Sequence, residues 1–343
     1  VGAVAATQDP ARRATAAEVA RLAGVSPAVV SYVVNDGPRK VAPATAERVR
    51  EAVRRLGYRP NRAARALRRG TTGIVGLVIP RVANPFMAEL SEAVQAAAER
   101  RGLAVLAAGS GNDLGVERRL LQTLPRHGVD GLVVATVMGH HDTAPPVRPD
   151  LPTVYLNAPF AVPGCAAVGP DATQGARLVV DHLLGVHGHR SVALVTGESG
   201  ARTAGARELG WQQAVTEHGA RPGPVVRVAW DRPGGSAAVE ALLGAGARPT
   251  AVFATSDAQA LGLLHGLRAA GVRVPEEVAV GGFDGVEDGA YAAPPLTTAH
   301  QPVLAMAEAA LDALEQPGGP GEGHALFGLD LVVRQSCGCT ATT

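Results

Sequence analysis

From Ile74 to Phe283 the chain alternates short apolar runs with amphipathic stretches, and this alternation limits its fold more than any other feature. Runs at 74–79, 103–107, 131–136, 153–156, 192–195, 225–228, 251–254 and 278–283 are rich in β-branched residues and read as buried strands. Helical patterns at 85–101, 116–127, 173–185, 207–218, 236–243 and 258–270 separate them. Repeated β-α units predict an α/β fold with parallel sheets covered by helices on both faces. About 270 residues of this pattern exceed one comfortable core, so two such doubly wound sheets are expected. Ligands in such folds sit in a crevice outside the carboxyl ends of the strands.

The first 72 residues differ in kind. They hold 14 Lys+Arg against 5 Asp+Glu, a net +9, whereas the remaining residues hold 18 against 26, a net −8. A basic head on an acidic body suits contacts with phosphates, although a solvated pair of basic helices has the same composition. With 46% hydrophobic and 18% charged residues, a largely disordered chain is excluded. No apolar run approaches the ~20 residues of a membrane helix. The opening VGAVAATQDPARR places its arginines after the small-residue patch, unlike a secretory signal. Cys165, Cys337 and Cys339 are too few and too scattered for a disulfide framework, so a cytoplasmic location is expected.

Within the head, AAEVARLAGVSPAVVSYVVND carries a helix-turn-helix pattern. Val19, Leu22 and Ala23 give a first apolar face, and small Ala20 allows a close crossing. Gly24 permits a sharp turn, Ser26 suits an N-cap and Pro27 the first helical position. Val29, Val30, Val33 and Val34 form the apolar side of the second helix. Such a unit places its second helix in a DNA major groove, but a tight helical hairpin of any other purpose has the same core. A third helix is expected through 44–56 with a Val49, Val53, Leu56 stripe.

The strings EVARLAGVS, VSYVVN, RVREAVRRLGYRPN and AARALRRGTTGIVGLV follow in order. Together they resemble the N-terminus of LacI/GalR-family (lactose-repressor-like) transcriptional regulators. That resemblance implies that Ser26, Ser31 and Asn35 contact the DNA backbone and that Pro27, Ala28 and Tyr32 occupy base-reading positions. It places Asn61, Ala64 and Leu67 on a hinge helix, with Leu67 as a minor-groove wedge. The ten residues 60–69 are too few for a helix stable alone in water, so the hinge is expected to fold only on DNA. Tyr32 stands where the family most often has arginine, and a tyrosine cannot make a bidentate contact to guanine. Ala42 replaces the usual serine cap before Pro43.

The resemblance continues through VIPRVANPFMAEL, HGVDGLVVA, VGPDATQGARLVVDHLLGVHGHRSVALV, RELGWQQAV, AVFATSDAQALGLL, VPEEVAVGGFDGVE and PPLTTAHQP. These imply a two-subdomain body of the periplasmic-binding-protein type I fold, crossed three times by the chain. The crossings are expected near 168–170, 299–301 and 323–325. The expected divisions are a tail at 1–14, the head at 15–59, a hinge and linker at 60–72, and the body at 73–343. Within the body, 73–168 and 300–323 would form the N-subdomain, and 169–299 and 324–337 the C-subdomain. Effector-lining positions carried over by the resemblance are Asn84, Phe86, Asp171, Arg207, Trp230, Ser256, Asp257, Asp284 and Gln301. Acids that accept from hydroxyls, a forked guanidinium and flat aromatic faces suit a sugar ring. Simpler roles stand beside these. Asp171 suits a helix N-cap, Asp284 a turn cap, Trp230 the core, and Arg207 a pairing with Glu208 or another surface acid.

Other motifs are weak. GSGNDLG misses the spacing of a dinucleotide loop, and GESGA misses a nucleophile elbow by its last residue. His140-His141-Asp142 reads as a solvated loop, and Glu322-Gly323-His324 as a linker within the third crossing. Cys337-Gly338-Cys339 has no evident partner pair and reads as two exposed thiols, so no metal and no cofactor is expected. No acid/base pair or nucleophile constellation supports an enzyme. The expectation is a repressor, acting as a homodimer on double-stranded operator DNA and controlled by a sugar-like small molecule, with no membrane partner. A solute-binding protein of the transport class shares the body but not the basic head. A nonspecific minor-groove architectural protein would explain the charge but not the cleft.

Overall fold

The structure, a computed structural model, describes residues 14–35, 37, 39–58, 70–135, 151–197, 202–244, 248–316, 319 and 321–340. The chain divides into two compact units, Val1–Thr72 and Gly73–Thr343.

In the first unit three helices surround a small core. Helix α1 (Ala16–Ala23) starts at a capping box, in which Thr15 accepts from the Glu18 amide and Glu18 reaches back to Thr15. It ends at Gly24 with φ 64°, a conformation that costs glycine nothing. Ser26 caps α2 (Pro27–Val34), and the chain bends by 101° between α1 and α2. Helix α3 (Pro43–Leu56) starts at Ala42 with no side-chain cap. The core is Val19, Ala20, Ala23, Val30, Val49 and Ala52, with Ala46 also buried. This corrects the expected stripes, because Leu22 is 47% and Leu56 36% exposed. The contact is made by valines and small alanines, and neither leucine packs in it.

In the second unit two six-stranded sheets form separate lobes. The first contains β1 (Ile74–Ile79), β2 (Ala104–Gly109), β3 (Gly131–Ala135), β4 (Thr153–Leu156), β5 (Ala166–Pro170) and β11 (Gly323–Phe327). Its order is β11-β5-β4-β3-β1-β2, parallel throughout. The second contains β6 (Ser191–Thr196), β7 (Arg221–Arg227), β8 (Ala251–Ala254), β9 (Ala279–Asp284), β10 (Thr297–His300) and β12 (Asp330–Val332). Its order is β12-β10-β9-β8-β6-β7, with only β12 antiparallel. Helices α4 (Pro85–Arg100), α5 (Leu114–Thr123) and α10 (Val303–Leu314) cover the first sheet. Helices α6 (Ala172–Asp181), α7 (Arg202–Glu217), α8 (Arg232–Gly244) and α9 (Asp257–Ala269) cover the second. Each sheet has an apolar core on both faces, as sheets of parallel strands require.

The chain passes between lobes after Pro170, after His300 and after Phe327. The third passage lies later than the expected 323–325. Residues 323–327 pair with β5 in the first sheet, so Glu322-Gly323-His324 leads into a strand and is not the linker. Among the described residues no single helix is long and apolar enough to cross a membrane.

Candidate functional site

Strand order reverses between β1 and β3 in one sheet and between β6 and β8 in the other. The loops leaving the carboxyl ends there are where such sheets bind ligands. Arg207, in α7, is the largest fully buried side chain among the described residues, 2% exposed. Its guanidinium lies 3.8 Å from the centre of the Phe283 ring and 5.3 Å from that of Trp230. One Nη1 hydrogen goes to the Thr255 carbonyl, and the same atom is 3.3 Å from Asp284 Oδ1. Gln301 Nε2 donates to Asp284 Oδ1 at 2.8 Å. Trp230 leans on Gly197 so closely that a Cβ there would fall 1.6 Å from its Nε1. Arg207, Trp230, Asp284 and Gln301 thus converge. Arg207 pairs with Asp284 and not with Glu208, which holds Arg227.

Burial sets the electrostatics. Loss of water pushes the Asp284 carboxyl up to about 7, against the pull of Arg207. Burial also raises Asp257 and lowers Arg207. Arg207 Nε and Gln301 Oε1 are buried and have no partner within the protein. So is Thr196 Oγ1, at the end of β6 beside Gly197. Orphaned polar atoms are costly unless something else satisfies them. Arg207 and Gln301 both contact Asp284, which leaves two orphaned atoms beside one carboxylate, an arrangement suited to a polar ligand.

Other expected residues are used within the protein. Ser256 caps α9 by accepting from the Gln259 amide. Asp257 accepts from the Gly285 and Val286 amides and from Thr298 Oγ1 at 2.6–2.9 Å, so it braces the Asp284 turn. Asp171 caps α6, accepting from the Gln174 amide, and stays half-buried at the first crossing. Asn84 caps α4 by accepting from the Phe86 amide, and the Phe86 ring is 3% exposed within the first-lobe core. Phe86 therefore offers no open face here. Sequence reasoning missed Phe283, Thr196 and Asn157, whose Oδ1 is buried without a partner after β4. Thr196 and Phe283 merely extend a strand pattern, and nothing in the sequence separates them from strand residues, while Asn157, at φ 60° just past β4, reads as a turn residue.

Polar contacts that join the lobes include two among the described residues. Arg81 reaches Asp231 at 3.3 Å, and Glu89 accepts from the Glu287 amide at 2.8 Å. The Arg81–Asp231 pair is exposed, where such pairs contribute about 0–1 kcal/mol, whereas Val286, just after β9, is buried in the first-lobe core. A hollow of about 610 Å³ lies elsewhere, between α8, α9 and the 287–291 turn. None of the orphaned buried polar atoms among the described residues lines it.

In the head, Ser26, Pro27 and Ala28 are exposed at the start of α2. Ser31, Tyr32 and Asn35 are half-buried on the same helix and its C-cap. Asn35 Nδ2 donates to the Ser31 carbonyl at 3.1 Å, and the Tyr32 ring is covered by the backbone of Gly37. Asn61, Ala64, Leu67 and His140-His141-Asp142 lie outside the described residues. Cys337 and Cys339 are not two exposed thiols. Cys337 is 1% exposed, Cys339 is half-buried, and both sit against His182 and His187.

A three-helix DNA-binding head joined to a two-lobed α/β ligand-binding body defines a class of ligand-responsive regulators. Residues 15–61 match the bacterial regulatory proteins of the lacI family, and residues 180–337 match the periplasmic binding protein-like domain. The ribose operon repressor of Escherichia coli (strain K12) is 34% identical over 306 residues, 88% of this chain and 92% of its own. The HTH-type transcriptional repressor PurR of Aliivibrio salmonicida (strain LFI1238) is 32% identical over 305 residues, 88% and 91% of the two chains. The lac repressor dimer bound to operator and the anti-inducer ONPF superposes with a TM-score of 0.83 at 27% identity, covering 95% of this chain and 99% of that one. The complex of the transcriptional regulator CelR with cellobiose superposes at 0.69 with 31% identity, covering 94% and 100%. The chain belongs to the lacI family of bacterial regulatory proteins.

Proposed function

We propose that this protein is a cytoplasmic transcriptional repressor. It acts as a homodimer on a near-palindromic operator and is controlled by a sugar or sugar derivative bound between the two lobes. The observation that carries the reading is the buried Arg207–Asp284–Gln301 cluster, with two polar atoms left unpartnered, in a chain that also bears a helix-turn-helix head. A ring hydroxyl can accept from Arg207 Nε and donate to Asp284 or Gln301 Oε1, while Trp230 supplies a flat face. Relatives that include a ribose operon repressor and a cellobiose-bound regulator support the sugar class.

The head would read half-sites about one helical turn apart through Pro27, Ala28 and Tyr32, with Ser26, Ser31 and Asn35 on the backbone. Apolar Pro27 and Ala28 favour contact with thymine methyls, so the half-site differs from one read by arginine. Asn61, Ala64 and Leu67 would meet their dimer mates in the minor groove between half-sites. Effector binding would move the lobes through the three crossings and so change how the hinges meet. That coupling must be reciprocal between DNA and ligand.

Selection from a random duplex library, with and without a panel of sugars, tests this. The expected result is a palindrome preferred over random DNA by ~10³ or more, whose binding changes with one sugar. The Arg207→Leu variant should keep the palindrome and lose the response. Recovery of no enriched sequence would overturn the repressor reading, and a palindrome indifferent to every ligand would overturn the allosteric part.

A further inference from the structure

Away from the cleft, four side chains converge at the far end of α6. His182 and His187 flank a π-helical turn (His182–Val186) that follows α6, and Cys337 and Cys339 belong to the turn after β12. Their ligand atoms all lie within 4.8 Å of one another. His182 Nε2 is 3.3 Å from His187 Nε2, 3.4 Å from Cys337 Sγ and 3.5 Å from Cys339 Sγ. His187 Nε2 is 3.4 Å from Cys339 Sγ.

Hydrogen bonding does not account for this. A ring nitrogen offers one hydrogen or one lone pair, and His182 Nε2 has three neighbours at nearly equal distance. A tetrahedral ion does. Bonds of ~2.05 Å to nitrogen and ~2.3 Å to sulfur imply edges of ~3.3 Å between nitrogens and ~3.5 Å between nitrogen and sulfur. Four of the six edges are 3.3 Å and 3.4–3.5 Å, and the other two, His187 to Cys337 and Cys337 to Cys339, stay within 4.8 Å.

The backbone is shaped to the same end. Five residues along an α-helix would turn the two histidines roughly 140° apart. The π-helical turn closes from i to i+5 and brings both rings to one side. Gly338, at φ 108°, lets the two cysteines flank one point, and a Cβ there would press on the His187 ring at 3.2 Å. Thr297 Oγ1 lies 3.1 Å from Cys337 Sγ and can donate to a thiolate.

We propose that His182, His187, Cys337 and Cys339 form a closed Cys₂His₂ site for zinc(II). Four protein ligands leave no open position for a substrate, so the role is structural. The ion pins the turn after β12 to the end of α6. Both elements lead on from lobe crossings, and the site is independent of the proposed effector.

Metal analysis of the full-length chain, purified without chelator under reducing conditions, should find one zinc ion per chain. Replacement by cobalt(II) should give the intense visible bands and thiolate charge-transfer band of a tetrahedral S₂N₂ site. His187→Ala and Cys339→Ser should each abolish that spectrum, while Cys165→Ser, at a buried cysteine outside the cluster, should keep it. Stripping the unmutated protein with a chelator should lower its melting temperature, and added zinc should restore it. That measurement remains decisive if the variants fail to fold. Absence of zinc together with an octahedral cobalt spectrum would overturn the proposal. So would a Cys337–Cys339 disulfide in the reduced preparation, or an unchanged cobalt spectrum in His187→Ala.

Discussion

Asp284 lies at the end of a strand with φ 125°, a conformation that costs a non-glycine residue about 1–3 kcal/mol. Its carboxyl titrates near 7 because burial outweighs the attraction of Arg207. A folded pKa above the unfolded value near 3.9 means that the native state binds the proton more tightly. This group therefore favours folding at low pH, and its contribution is lost as pH rises from about 4 to about 7. A ligand whose hydroxyls donate to the carboxylate lowers that pKa, so binding at pH 7 should release protons. Calorimetry in buffers of differing ionisation enthalpy measures the release, and Asp284→Asn should remove it. Proton uptake on binding would reverse the assignment. Of the candidate site residues, Arg207, Trp230, Asp284 and Gln301 were reached through the family resemblance, and Asp284 also ends an apolar strand run. Thr196 and Phe283 were not, since a threonine or phenylalanine ending a strand looks like any other strand residue. The histidine–cysteine cluster was illegible for two reasons. About 150 residues separate its halves, and a π-helical turn leaves no period in the sequence.

At the scale of elements, helix starts were the most readable features because their caps are written in single residues. Ser26 and Pro27 open α2 where the spacing requires, and Ala42 leaves α3 without a side-chain cap. Ala42→Ser should therefore stabilise the head by about 1 kcal/mol, seen as a higher melting temperature of its transition. No change would mean that the first amides of α3 are already satisfied by other means. Strand β11 was the least readable. Its residues Gly323–Leu326 are exposed, so no alternation of apolar and polar positions marks it. Pairing with β5 makes it a strand, and that partner lies more than 150 residues away. The third crossing was misplaced for this reason, while strands buried on both faces announced themselves as apolar runs.

At the scale of the whole molecule, the cores of the head and the body share no residue. The head core is six small or medium side chains, and cores of that size give marginal stability. Two calorimetric transitions are expected, the head melting first. Val49 is fully buried at the centre of the head core, so Val49→Ala should weaken the first transition by about 2 kcal/mol and leave the second unmoved. A single transition that shifts as a whole would refute separate melting. The placement of Pro27 and Ala28 has an evolutionary side. Both are exposed on a helix whose only fully buried residue is Val30. On the proposed reading, substitutions there alter what is presented to DNA without disturbing the fold of the head or the chemistry of the cleft. A duplicated copy of such a gene can therefore drift to new target sites in a few steps while still answering to the same metabolite, and the reverse drift is open as well. Address and signal are inherited on separate surfaces, which lets one scaffold diversify into many circuits.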